Sequence, residues 1–105
     1  MIDSNTHVLH HAKQVLLPMT IAAATRQPFN LYGWRVLDRW AYNSPEALQA
    51  LERQGEVILL GRLLEQQERE QQVLMTDAAL QALGKGAMPF EVLQAQEIQT
   101  ELYSD

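Results

Sequence analysis

Prolines and glycines divide this chain into short segments, and the residues beside them have the chemistry of helix ends. The clearest segment starts at Ser44, a residue type that caps helices, and Pro45 follows at the first helical position. Glu46 places a negative charge at the positive end of the helix dipole, and Gly55 ends the segment. The sequence therefore predicts a helix between Pro45 and Gly55.

The same signals predict four further helices, and Leu, Ala and Gln, which all favour helices, are the most abundant residue types. The predicted segments are 6–26, which Pro18 should kink or split, 57–74, 78–83 with Thr76 and Asp77 as caps, and one that starts at Pro89. A length of 105 residues fits one domain. We therefore expect a compact, mainly α domain of four to five helices over residues 1–105.

Two segments fit both a helix and a strand. In 31–42, the apolar residues match helical spacing in one register and strand alternation in another. In 90–102, Phe90, Val92, Ile98 and Leu102 share one parity, which favours a strand, whereas the many Gln and Glu residues favour a helix. An α+β fold with short strands near 31–42 and 90–102 is therefore the alternative.

Charge and cysteine content exclude several classes of function. The net charge of −5 argues against a protein that coats nucleic acid, because such binding depends on neutralising phosphates. The charge is unevenly distributed, since 1–43 carry four basic and two acidic residues whereas 44–105 carry four basic and eleven acidic ones. The absence of cysteine excludes disulfides, thiolate nucleophiles and zinc ribbons.

A cluster of aromatic and arginine residues between 26 and 42 is the strongest candidate for a binding surface. Trp, Tyr and Arg are enriched where protein interfaces concentrate their binding energy. The same mixture could stack on unpaired bases, or the tryptophans could simply anchor the core. The predicted partner-binding residues are Arg26, Tyr32, Trp34, Arg35, Arg39, Trp40 and Tyr42, and Phe29 belongs to the same cluster.

The alternative function is a transcriptional regulator that binds nucleic acid through a helix-turn-helix around 78–97. Ala82, Gly86 and Val92 have the spacing of a small residue, a glycine and an aliphatic residue around such a turn. The second helix would present Glu91, Gln94 and Glu97 without a basic residue of its own, and acidic groups repel phosphates.

Two further features concern metal binding and self-association. His7 and His11 are one helical turn apart and could share a metal ion, but no other segment supplies further ligands. A polar block over 65–72 lies within a short heptad pattern, which predicts either a helix with a buried first half and a solvated second half, or an arm that pairs with a second copy. The heptad positions are Val57, Leu60, Leu64, Gln67, Gln71 and Leu74.

No motif of an enzyme is present, so we expect no catalysis and no cofactor. Pro18 and Thr20 interrupt the longest apolar run, which is too short for a membrane span. Lys13 and the alanines at 22–24 have some features of a signal peptide, but Asp3 does not fit one. The sequence therefore favours a small cytoplasmic interaction or regulatory protein that binds a protein partner, and we expect a homodimer.

Overall fold

The fold is mainly helical, as the sequence predicts. A computed structural model describes residues 9–102, and these contain no strand. Seven helices rather than four to five are present in this range, because Pro18 splits one segment and the ambiguous segment 31–42 is a helix. They are α1 (Ala12–Val15), α2 (Pro18–Thr25), α3 (Leu31–Asn43), α4 (Pro45–Gln54), α5 (Glu56–Leu74), α6 (Asp77–Gly84) and α7 (Pro89–Ala95).

Pro18 separates α1 from α2, which confirms the predicted split. Leu16 and Leu17 before it are extended, with ψ angles of 155° and 147°. This is the conformation that a following proline favours, and Pro18 then starts α2 at a position where its missing N–H is not needed. The part of the predicted helix before residue 9 lies outside the described residues.

The strand alternative for 31–42 is wrong. The side chain of Asn30 accepts a hydrogen bond of 2.9 Å from the backbone N–H of Tyr32, so Asn30 caps the start of α3. Trp34, Leu37 and Ala41 lie buried on one side of the helix at spacings of three and four residues. The buried residues therefore repeat with helical spacing. The strand-like alternation of apolar residues in the sequence does not correspond to a buried face.

The predicted helix after Ser44 is confirmed, although its capping mechanism is not. Ser44 both ends α3 and precedes α4, and its side chain makes no capping hydrogen bond. Pro45 occupies the first turn as predicted. Gly55 ends α4 with a φ of +130°, which favours glycine, and α5 starts immediately afterwards.

The strand alternative for 90–102 is also wrong, because α7 ends in a Schellman turn at the middle of that segment. The N–H of Ile98 donates to Leu93 O and that of Glu97 to Gln94 O, both at 3.0 Å. Glu97 has a left-handed φ of +59°, a conformation that usually belongs to glycine. After this turn, 98–102 run without regular structure along α3 and α5.

Two apolar clusters form the core. The larger joins α1 to α5 and includes Trp34, Trp40 and Leu63, whereas the smaller joins the end of α5 to α6 and α7 through Leu74 and Leu93. A ladder of buried polar side chains on α5 lies beside these clusters. It consists of Gln66, Gln67 and Glu70.

Candidate functional site

Helix α3 divides the predicted binding residues between two opposite faces. Tyr32, Arg35, Arg39 and Tyr42 follow one another at spacings of three, four and three residues, so they form a stripe along one side of the helix. Arg35 and Tyr42 are exposed, and Tyr32 and Arg39 are partly buried. We call these four residues the α3 stripe.

Trp34 and Trp40 lie on the opposite face of α3 and belong to the core. Their exposed fractions are 5% and 0%, and the Trp40 indole N–H donates a hydrogen bond of 2.9 Å to Thr100 O. The Arg62 guanidinium lies 5.1 Å from the centre of the Trp40 ring. Burial removes both tryptophans from the predicted partner-binding set, because neither can reach a partner or a base while the fold is intact.

Two other members of the aromatic and arginine cluster lie away from the α3 stripe. Arg26 is exposed at the C-terminal end of α2 and lines neither of the cavities described below. Phe29 is half-buried and packs edge-on against Trp34, with ring centres 5.5 Å apart. The structure therefore concentrates the surface part of the predicted cluster on the α3 stripe.

The larger cavity beside the α3 stripe has a volume of about 400 Å³ and a mostly apolar lining. Its floor is formed by Leu74 and Leu93, which are both buried. Its rim includes Met88 and Phe90, whose exposed fractions are 61% and 48%. The other lining residues are Tyr32, Arg35, Arg39, Glu70, Leu83 and Pro89.

A smaller cavity of about 300 Å³ lies at the other end of the α3 stripe, beside Tyr42, Asp38 and His11. Arg35 and Arg39 line both cavities, so the two open on either side of the same pair of side chains. We call the two cavities together the α3 groove. The α3 groove offers an apolar compartment, a basic centre and an aromatic and polar compartment in that order.

The two arginines at this centre differ in their charge environment. Arg39 forms salt bridges with Glu70 at 2.6 Å and with Glu101 at 3.2 Å, so carboxylates compensate its charge. Arg35 is exposed and forms no salt bridge with any residue in 9–102. Arg35 is therefore the cation of the α3 groove that can meet an anionic group from outside.

His11 is engaged with Asp38 on α3. Its Nδ1 lies 2.9 Å from Asp38 Oδ2, and Asp38 Oδ1 accepts from the backbone N–H groups of His11 and Ala12 at 2.6 and 2.9 Å. Asp38 thus serves the first backbone donors of α1. Within 9–102 no group of three potential metal ligands exists, and His7 lies outside the described residues.

The segment proposed as a helix-turn-helix forms two helices, α6 and α7, joined by 85–88. Thr76 caps α6 as predicted, by accepting a hydrogen bond of 3.2 Å from Ala79 N–H. Gly86 has a φ of +102°, and its neighbour Ala87 donates to Ala82 O at 3.0 Å, which is a Schellman turn. The spacing of Ala82 and Gly86 thus has a local explanation in the way α6 ends.

The polar block on α5 follows the expectation only in part: Leu59 and Leu63 in the first half are buried and Glu65 and Glu68 in the second half are exposed, but other residues depart from it. Gln66, Gln67 and Glu70 in the second half of the helix are buried, whereas Val57 and Leu64 in the first half are exposed. The heptad pattern is therefore not one exposed seam, because Gln67 belongs to the buried side. Glu70 lines the larger cavity although it belongs to the block that was expected to be solvated.

One sequence signal could have identified these buried polar residues. Leu59, Leu63 and Leu74 are buried, and Gln66 and Glu70 fill the intervening turns of the same stripe at helical spacing. A polar residue that continues a buried stripe requires a partner, and Arg39 is the basic partner elsewhere in the chain.

Comparison with known protein families, curated proteins and solved structures finds no significant match to this chain. Within 9–102, no helix combines the length and the apolar character that a bilayer crossing needs. The α3 groove therefore supplies the chemistry from which a function can be inferred.

Proposed function

We propose that this chain is a small, non-enzymatic interaction or regulatory protein of the cytoplasm that binds a segment of a partner protein in the α3 groove. The partner segment places an apolar side chain in the larger cavity and an acidic side chain on Arg35. The observation that carries this proposal is the exposed Arg35, which has no carboxylate partner in 9–102 and lies beside an apolar cavity.

The apolar half of the proposal is supported by side chains that are exposed at the rim of the cavity. Met88 and Phe90 expose about half of their surface or more, and Pro89 lies between them in the first turn of α7. Burial of apolar surface contributes about 25 cal/mol for each Å² removed from water, against which the entropic cost of association is set. Methionine also adapts its shape to different partners.

The acidic half of the proposal is supported by charge complementarity. A guanidinium forms two parallel hydrogen bonds with a carboxylate, which gives orientation as well as attraction. Arg35 lies one helical turn from Tyr32, an axial rise of about 4.5 Å. The acidic residue of the partner should therefore lie close to its apolar anchor, as in residues one turn apart on a helix.

The proposal can be tested by selecting random dodecapeptides on the immobilised full-length protein. We expect the selected peptides to combine an aromatic or aliphatic residue with an Asp or Glu. Selection on the Arg35→Glu variant should lose the acidic preference and favour Lys or Arg instead. Arg53→Glu is the matched control, because Arg53 is exposed on α4 and lines neither cavity.

The outcome of this selection separates the candidate functions. If wild type and Arg35→Glu select the same peptides, or no peptide shows a preference, the α3 groove is not a peptide site. If the protein instead binds DNA in a mobility-shift titration, with affinity that falls steeply as salt rises, the nucleic-acid alternative replaces this proposal.

The homodimer is a separate part of the proposal. The exposed Val57, Ile58 and Leu64 on α5 are the apolar residues that a second copy would cover, and Gly61 among them has open space around it. Light scattering at high protein concentration tests this directly. A mass of 12.0 kDa would exclude the dimer, and the α3 groove would be unaffected by that result.

A further inference from the structure

We propose that residues 98–102, which follow α7, form a latch that holds the α3 groove in its binding shape. This inference rests on the proposed function, since it concerns regulation of the same groove. Docked, the latch fixes Arg39 between the two cavities and supports the apolar floor of the larger one. When the latch is released, Arg39 and the apolar floor lose their positions, so the α3 groove binds its partner more weakly.

The latch is held through the main chain at one carbonyl. Thr100 O accepts three hydrogen bonds, from Arg39 Nε at 3.1 Å, from Arg39 Nη2 at 2.6 Å and from Trp40 Nε1 at 2.9 Å. Thr100 itself is buried. The segment is therefore bound by polar donors of α3, of which the Trp40 indole is buried and the Arg39 guanidinium is partly buried.

The neighbouring residues of the latch add contacts on both sides of this carbonyl. Gln66 Nε2 on α5 donates to Gln99 O at 2.8 Å, and Glu101 Oε2 lies 3.2 Å from Arg39 Nε. Asn43 Nδ2 at the end of α3 donates to the same Glu101 oxygen at 3.2 Å. Glu101 Oε1 is buried and has no hydrogen-bond partner among residues 9–102, so the contacts of the docked segment in this range leave one carboxylate oxygen unsatisfied.

Two contacts connect the latch to the α3 groove. Arg39 contacts the latch and lines both cavities, and Glu70, which lines the larger cavity, accepts from Nη1 and Nη2 of Arg39 and so shares Nη2 with Thr100 O. Ile98 packs against the apolar cluster that includes Leu74 and Leu93, the floor of the larger cavity. Undocking therefore removes hydrogen bonds from Arg39 and packing from the floor in one step.

The hinge of the latch is already identified by its backbone. Glu97 has a φ of +59° and is not a glycine, so the docked path retains a strained residue directly before the latch. This strain is relieved only when the turn that ends α7 opens together with the latch, because Ile98 N–H donates to Leu93 O within that turn. Such opening would offset part of the hydrogen bonding that is lost on release.

The test uses the full-length protein and the dye 8-anilinonaphthalene-1-sulfonate, whose aromatic rings and sulfonate match the apolar cavity and Arg35. Glu101→Lys places a second positive charge beside Arg39 and should release the latch. Gln96→Lys is the matched control, because Gln96 is exposed before the hinge. Glu101→Gln is the milder second variant if Glu101→Lys folds poorly.

The first readout is solvent exchange of the Trp40 indole N–H, measured by NMR, because that proton is bonded to the latch. We expect exchange to be at least about tenfold faster in Glu101→Lys and unchanged in Gln96→Lys. The second readout is the affinity for the dye, measured from the NMR shifts of the α3 signals during titration. We expect this affinity to be about fivefold lower, or lower still, in Glu101→Lys than in the wild type. Since coupling is reciprocal, dye at saturation should slow indole exchange in the wild type.

Three results would overturn the inference. Faster indole exchange with unchanged dye affinity would mean that the latch opens without affecting the groove. Unchanged exchange in both Glu101 variants would mean that these contacts do not hold the segment. The absence of dye-induced shifts in the wild type would show that the α3 groove does not bind this kind of ligand, which would overturn both the latch and the proposed function. If only the peptide selection fails, the proposed function is wrong, and the dye experiment still decides whether the latch controls the groove.

Discussion

Arg39 on α3 and Glu70 on α5 form a two-pronged ion pair, with Nη1 3.2 Å from Oε1 and Nη2 2.6 Å from Oε2.. The Glu70 side chain is only 5% exposed, and Gln66 also donates to its Oε2, at 2.7 Å, so both buried carboxylate oxygens are hydrogen-bonded. The pair joins the two longest helices of the fold where they border the α3 groove.

Removal of one member of this pair should cost more than removal of both. Glu70→Leu leaves the Arg39 charge without its main partner, and we expect a loss of about 3 kcal/mol in the free energy of unfolding. The double variant with Arg39→Met should recover part of that loss, because two apolar side chains replace two charges. Urea unfolding of the wild type, Glu70→Leu, Arg39→Met and the double variant measures the coupling, and strictly additive losses would show that the pair contributes nothing of its own.

Two glycines within helices should respond to alanine in opposite directions. A Cβ on Gly33 would collide with the Gln67 side chain, whose Oε1 accepts from Asn30 N–H at 3.0 Å. Around a Cβ on Gly61, by contrast, no side chain or other element within 9–102 comes closer than 4 Å. We expect Gly61→Ala to stabilise the protein by up to about 1 kcal/mol through helix propensity, and Gly33→Ala to destabilise it by about 1–3 kcal/mol through displacement of Gln67. Thermal unfolding of both variants decides this. Equal shifts of the same sign would contradict it.

The two Schellman turns allow another paired test. Glu97→Gly should stabilise the protein by about 0.5–1 kcal/mol, because it relieves a left-handed side-chain conformation at some cost in unfolded-chain entropy. Gly86→Ala should destabilise by about 1 kcal/mol for the reverse reason. Calorimetric melting temperatures should therefore move in opposite directions, and a lower melting temperature for Glu97→Gly would show that Glu97 makes contacts that outweigh its strain.

Asp38 should contribute more to stability than its partner His11. Asp38→Ala removes the acceptor of two backbone donors at the start of α1, and the expected loss is about 2 kcal/mol. His11→Ala removes only a side-chain contact that is partly exposed, so its expected loss is about 0.5 kcal/mol. Chemical denaturation of both variants gives the ranking. A larger loss for His11→Ala would mean that the ring, through its edge contact with Tyr42, carries the interaction.

The helices could be predicted where boundary residues act locally. Pro18, Thr76 and Gly55 impose their effect within one turn, so the split before α2, the start of α6 and the end of α4 were predictable. The helix over 31–43 could not be predicted from its own residues, because the spacing of its apolar residues fits both a helix and a strand. It is decided by packing against α5, which the sequence of the segment alone does not contain.

The candidate site could be predicted only in part. The aromatic and arginine composition located α3 and four of its exposed or half-exposed side chains, but it could not separate Arg35 from Trp40. That separation requires knowing which side of the helix faces the core. Met88 and Phe90 escaped prediction because they reach the groove from α7, far along the chain, and Glu70 escaped because a polar block normally indicates a solvated helix.

The triple acceptor at Thr100 has a consequence for how this chain can vary. Every residue type carries the same carbonyl, so the latch is specified by the length of chain between α7 and residue 100 rather than by the side chain at 100. Substitutions at position 100 should leave the main-chain anchor in place, whereas insertion or deletion of one residue between Ala95 and Thr100 would move the carbonyl away from Arg39 and Trp40. The main-chain anchor at Thr100 is therefore sensitive to the spacing of this segment, whereas the contacts of Glu101 and Ile98 depend on their side chains.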